Sequence, residues 1–258
     1  MPEFEYIYSN LRQAMRFFGE ATGKGEVRQL EGALAIYSGM EYGVFNIAIL
    51  DSHLPDPQKS LEACAKYFSA HARRWSVWLC EDSLSSAGLR EARAALSRNG
   101  LREISTAPGM TAEILAPPRR ELPAIECVAV TDQWLRDAFG SVAATCFDIP
   151  IGVAREVYYP ERAWDGAYRG FVGMVAGRPL GIVALVENDA TLGVYSLATL
   201  PEDRRLGYGE ALLRAAVEQA RQDMRVERLV LQSSEAGHAL YRRMGFRETT
   251  RFSVYLTK

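Results

Sequence analysis

Leu197-Ala198-Thr199-Leu200-Pro201-Glu202-Asp203-Arg204-Arg205-Leu206-Gly207-Tyr208-Gly209-Glu210-Ala211 changes pattern sharply. An apolar run stops at Pro201, a basic turn follows, and Gly207 and Gly209 lead straight into a helical pattern. Beyond them Ala211, Leu212, Ala215, Ala216 and Ala220 recur on one helix face. A helix opening directly from a glycine turn leaves several backbone N–H groups without intrahelical partners. Its dipole adds partial positive charge there, and glycine lets a ligand approach the backbone. Such a turn suits a phosphate or pyrophosphate. Two familiar phosphate loops do not fit it: no GxxxxGK[ST] segment is present, and GxGxxG would require glycine where Leu212 stands.

Working outward, residues 125–131 read as a strand and 133–147 as a helix, with another helix within 153–164. Strands are expected at 169–175, 180–187 and 191–199, joined by turns at Gly177-Arg178-Pro179 and Asn188-Asp189. A helix over 207–222, a strand at 229–231, a helix at 236–244 stopped by Gly245, and a strand at 251–256 complete this half. Upstream, Pro117, Pro118 and Pro123 mark a linker, dividing the chain into parts near 1–118 and 123–258. The first part ends as the second does. Asn99-Gly100-Leu101-Arg102-Glu103-Ile104-Ser105 parallels Met244-Gly245-Phe246-Arg247-Glu248-Thr249-Thr250, 145 residues on. In the same order along the chain, the apolar stretch 76–79 matches 229–231, and 44–50 matches 191–199, which suggests two related domains.

Composition narrows the function classes. Of the 258 residues 48% are hydrophobic, enough for a substantial core. Acidic residues outnumber basic ones by 32 to 30, so no nucleic-acid or anionic-membrane partner is expected. Cys64, Cys80, Cys127 and Cys146 are scattered without a CxxC pair, so no metal site is expected and a cytoplasmic setting is. Residues 1–10 do not read as a signal peptide, and no apolar run approaches the ~20 residues that cross a bilayer. Monomer and homodimer both fit.

The order Leu197, Thr199, Pro201, Arg204, Gly207, Gly209 resembles the acetyl-CoA-binding motif of the GNAT (general N-acetyltransferase) superfamily. That motif is Arg or Gln, two residues, Gly, one residue, then Gly or Ala. Leu240-Tyr241 followed by Gly245-Phe246 resembles the family's Leu-Tyr-x-x-x-Gly-Phe ending. The resemblance covers about 123–258. It implies an α/β (α+β) fold of two GNAT-like domains, each a mixed, mostly antiparallel sheet flanked by helices. It also implies an acetyl-CoA-dependent N-acetyltransferase acting by direct transfer to a primary amine of a small molecule or peptide. A non-catalytic acyl-CoA sensor remains the alternative.

By the same resemblance, amides of Arg205, Leu206, Gly207, Tyr208, Gly209 and Glu210 cradle the CoA pyrophosphate, with Arg204 nearby. Backbone groups of Leu197, Ala198 and Thr199 meet the pantetheine arm and thioester. Tyr241 protonates the departing thiolate, a suitable role for a phenol that is neutral at physiological pH. Ser234 stands where the family often has Asn, and Gly237 replaces a common Ala. Glu187 is the expected general base, ahead of Asp189 and Glu235, with a water relay or His238 as other routes. Tyr195, two residues before Leu197, is expected on the same strand face, lining the acceptor cleft. Cys127 and Cys146 read as small core residues.

The first half lacks these features. Its counterpart of the turn, Asp51-Ser52-His53-Leu54-Pro55-Asp56-Pro57-Gln58-Lys59, has no glycine, and Leu96 stands in the place of Tyr241. It reads as a degenerate copy that no longer binds acetyl-CoA. Trp75, Trp78, Tyr37, Tyr42 and Phe45 are available to complete the acceptor site or bury a face of the active half.

Overall fold

A computed structural model describes residues 2–71, 74–223 and 226–258. The first half opens on helix α1 (Glu3–Glu20), followed by strands β1 (Glu26–Leu30), β2 (Ala33–Tyr37) and β3 (Ile47–Leu50). Helix α2 (Pro57–Ala70), strand β4 (Ser76–Cys80), helix α3 (Ser86–Arg98) and strand β5 (Leu101–Ala112) complete it. The second half runs β6 (Glu126–Ala129), α4 (Gln133–Phe147), α5 (Ile151–Tyr158), β7 (Tyr168–Val175), β8 (Arg178–Asn188) and β9 (Thr191–Thr199). It ends with α6 (Tyr208–Asp223), β10 (Arg228–Gln232), α7 (Glu235–Arg243) and β11 (Arg247–Thr257).

Several expected boundaries move, each for a local reason. The helix placed within 153–164 starts at Ile151 and breaks at Pro160, with a 3₁₀ turn Glu161–Trp164 beyond it. Pro179 lies inside β8, opposite Met174, because the hairpin turns on Ala176 and Gly177, both at positive φ. In the first half the strand expected over 44–50 begins only at Ile47, after a 3₁₀ turn Gly43–Phe45.

Among the described residues the strands form one mixed sheet in the order β1-β2-β3-β4-β11-β5-β10-β9-β8-β7-β6. Only β3·β4 and β9·β10 are parallel. The order is nearly palindromic: β3·β4 mirrors β9·β10, and each half sends its last strand into the sheet of the other. Thus β11 pairs with β4 and β5, and β5 pairs with β10 and β11. The repeat read at a shift of 145 residues therefore appears as equivalent positions in the sheet, with an exchange of terminal strands.

Helices cover both faces. Helices α6 and α7 pack over the second half through Leu212, Leu213, Ala216, Val217 and Tyr241, meeting Val183, Leu185, Leu192 and Leu229. On the opposite face α1 lies across the middle. Its stripe Ile7, Leu11, Ala14 and Phe17 has helical spacing and is buried, the upper part against Leu34, Ile36 and Val230, the lower against Tyr158 and Tyr168. Phe45 and Tyr42 join the same cluster as α4 and α5, whereas Trp75 stacks on Phe68 within the first half's own core.

Candidate active site

The site begins where two parallel strands part. Strand β10 pairs with β9 only over Thr191–Gly193, and Val194–Thr199 continues without it. A gap opens there, with the edge of β9 along one side. The register between β8 and β9 shifts where Ile182 faces Ala198 but Ala184 faces Tyr195, so β9 carries one extra residue. Ser196 takes it up at φ +50°, its hydroxyl 2.7 Å from that of Tyr168. This bulge overturns the placement of Tyr195 beside Leu197. The two lie on opposite faces: Leu197 packs toward α6 and α7, and Tyr195 donates to Asn10 Oδ1 of α1 at 2.8 Å. Nothing in the sequence at Ser196 signals the bulge, since neither Gly nor Pro stands there.

Past Thr199 the chain makes a 3₁₀ turn over Pro201–Asp203, which Arg178 of β8 grips by two hydrogen bonds to Asp203 of 2.9 and 2.7 Å. Hydrogen bonding to that guanidinium holds the Asp203 carboxyl below its ordinary pKa. Arg205 and Gly207 then both take positive φ, +65° and +104°. At Gly207 a side chain would be strained, and a Cβ would come within 3.0 Å of Pro123. Gly209 is needed for closeness alone, because a Cβ there would lie 3.2 Å from Thr199 Oγ1. The first backbone bond of the new helix is Ala211 N–H to Gly207 C=O at 3.0 Å. The amides of Tyr208, Gly209 and Glu210 precede it, at the positive end of the dipole. Arg204 folds back, its Nε donating to Thr199 C=O at 3.0 Å.

Helix α7 supplies the other wall. Ser234 caps it by accepting from Gly237 N–H at 3.2 Å. Tyr241 is 8% exposed and packs edge-on against Phe246. Burial raises its phenol well above the ordinary tyrosine value, so it remains protonated. The departure at Gly237 has a reason here, since a Cβ would lie 2.8 Å from the Tyr241 ring.

Between these walls lies a cavity of about 930 Å³. Leu197, Ala198, Thr199, Arg204, Arg205, Gly207, Tyr208, Gly209, Glu210, Ser234 and Tyr241 all line it. Leu206 is not among its lining and stands 56% exposed on the turn. Glu187 is not brought to the site. It pairs with Leu192 at the hairpin end of β8, roughly 20 Å along β9 from Ala198 at ~3.3 Å per residue. Asp189 caps that same hairpin, and Glu235 and His238 lie outside the lining too, His238 being 2.8 Å from Glu248. Among the lining residues that the sequence reading did not place at the site are Cys146 and Phe147 at the end of α4, Arg119 and Arg120 from the linker, and Ala236 and Arg243 of α7. Cys146 packs against the core and also lines the cavity, its thiol 3.4 Å from Thr199 C=O.

The chemistry is polarised. Amides and Arg204 and Arg205 stand at the turn, with Arg119, Arg120 and Arg243 elsewhere in the lining, whereas Leu197, Ala198, Leu240 and Tyr241 give an apolar inner end. The donor set suits a phosphorylated ligand with a slender apolar arm. In the first half the equivalent gap is closed. Strand β3 is paired with β4 through Ile49, leaving only Leu50 beyond, and Asp56 caps α2 by accepting from Lys59 N–H at 3.0 Å. A carboxylate occupies the position a phosphate would take.

The Acetyltransferase (GNAT) family model matches residues 131–246. Among curated protein sequences none matches the chain. Similar solved structures include a GCN5-related N-acetyltransferase from Kribbella flavida, at TM-score 0.73 and 19% identity, covering 100% of this chain and 96% of that one. Another from Sphaerobacter thermophilus aligns at TM-score 0.59 and 15% identity over 99% and 91% of the two chains. A tandem GNAT protein from the clavulanic acid biosynthesis pathway aligns at TM-score 0.58 and 15% identity over 87% and 78%. Residues 131–246 thus carry an acetyltransferase (GNAT) domain.

Proposed function

We propose that the protein transfers the acetyl group of acetyl-CoA directly to a primary amine of a small molecule or peptide, with the reacting groups supplied by the second half. The observation that carries this reading is one cavity lined at once by the open edge of β9, the glycine turn and Tyr241. The amides of residues 205–210 hold the diphosphate of the co-substrate, and the backbone of Leu197–Thr199 orients the pantetheine arm and thioester. The amine nitrogen attacks the thioester carbon, the C–S bond breaks, and Tyr241 gives its proton to the sulfur and regains one from water. The only carboxylates lining the described cavity are Asp203 and Glu210, held by Arg178 and Arg214, so water is assigned to carry away the amine proton. The four free cysteines support a reducing, cytoplasmic setting.

The domain of residues 123–258 is the catalytic one in this reading, and 1–118 is a degenerate copy. The capped start of α2 and the closed β3·β4 pair support that assignment. Calorimetric titration with acetyl-CoA tests it: one site per chain is expected, and Gly207→Asp abolishes it by backbone strain and charge repulsion. Two sites would show that the first half is competent, and no binding would remove the reading.

A further inference from the structure

The segment between the halves does more than connect them. Ala116 N–H donates to Met244 C=O at 2.8 Å, at the end of α7, and Ala116 C=O accepts from Arg214 of α6 at 2.6 Å. Four residues on, Arg120 Nη2 donates to Arg205 C=O at 3.3 Å on the glycine turn. Pro123 then abuts Gly207. The segment therefore runs from the end of α7 to the start of α6, and Arg119 and Arg120 line the cavity along the way.

Five arginines (Arg119, Arg120, Arg204, Arg205 and Arg243) share that lining with two acids. Each acid is matched by an arginine, Asp203 by Arg178 and Glu210 by Arg214, so the lining stays strongly positive. Acyl-CoA carries phosphate in two places, a diphosphate and a monoester on the ribose. The turn amides suit the diphosphate at a helix start. Guanidinium forks suit the terminal oxygens of a monoester, which bears nearly two negative charges at neutral pH. With the thioester at Leu197 and Tyr241 and the diphosphate on the turn, the nucleoside end of the ligand falls to the linker.

We propose that Arg119 and Arg120 form a second phosphate subsite that binds the ribose 3′-phosphate, so the segment joining the two halves selects CoA over its 3′-dephospho form. This rests on the CoA reading above. The test is calorimetric titration of the full chain, wild type and the R119Q/R120Q double variant, with CoA and with 3′-dephospho-CoA. Both arginines are exposed, so thermal melting of the variant should match wild type. Wild type should bind CoA about tenfold or more tightly than the dephospho form, the scale of a charge-assisted contact. The variant should bind both alike, at the wild-type affinity for 3′-dephospho-CoA. Equal binding of the two ligands by wild type would overturn the subsite and leave the CoA reading standing. An equal loss for both ligands in the variant would also overturn it, placing the arginines on the diphosphate. Binding of neither ligand by wild type would remove both readings.

Discussion

Tyr241 is buried against Phe246 and faces the apolar end of the cavity, and its environment fixes which proton it can supply. Burial disfavours the phenolate, so its pKa moves upward and the phenol stays intact through neutral and mildly alkaline pH. Tyr241→Phe keeps the ring and its packing but removes the proton. Turnover is expected to fall by roughly 10²- to 10⁴-fold, the usual contribution of a general acid. Acetyl-CoA affinity should change little. In wild type the pH profile of turnover should show no fall below about pH 10, because the raised phenol loses its proton only above the ordinary tyrosine value. Unchanged turnover in the variant would show that Tyr241 is not the general acid. Tyr241 and Gly207 were legible because both belong to short motifs whose chemistry constrains residue type. Arg119 and Arg120 were not, because an arginine in a proline-rich linker looks the same whether it is solvated or folded onto a cavity.

Helix α1 reaches well beyond its own half. Asn10 is fully buried, donating to Val186 C=O at 3.0 Å and to Thr191 Oγ1 at 2.9 Å, and accepting from Tyr195. Gly193 leaves the space, since a Cβ there would lie 1.9 Å from Asn10 Oδ1. This network ties the first half to β8 and β9, the strands that carry the site. Asn10→Ala removes the three hydrogen bonds of this buried side chain, at a cost of about 3 kcal/mol. For a chain of this size that lowers Tm by roughly 6–12 °C. Thermal melting checks it, and a shift within 2 °C would show that the network contributes little. Most elements after residue 125 could be read because Gly, Pro and Asn punctuate them. The bulge at Ser196 could not. It inverts the face of every residue after it, so a period-two reading of β9 placed Tyr195 in the cleft when it faces α1.

At the scale of the molecule the exchange of terminal strands governs the behaviour of the halves. Strand β11 makes ten register pairs with β5 and five with β4, every one to the first half. In turn β5 adds four with β10, so all of its pairs are to the second half. The repeat ending at Ser105 and Thr250 suggested two related units. It could not reveal the exchange, because a strand's side-chain pattern is the same whichever equivalent neighbour it joins. Without β5, a fragment of 122–258 presents the edge of β10 and both edges of β11, with the backbone donors and acceptors of each lacking partners. That fragment is expected not to persist as a folded monomer. It should elute from size exclusion as a dimer or larger species, while co-expression with 1–121 restores one acetyl-CoA site per pair. A monomeric fragment that melts cooperatively near the intact protein would mean that β11 can close its own half. The first half would then be dispensable for the fold of the second, and its part in the site would reduce to what the linker supplies.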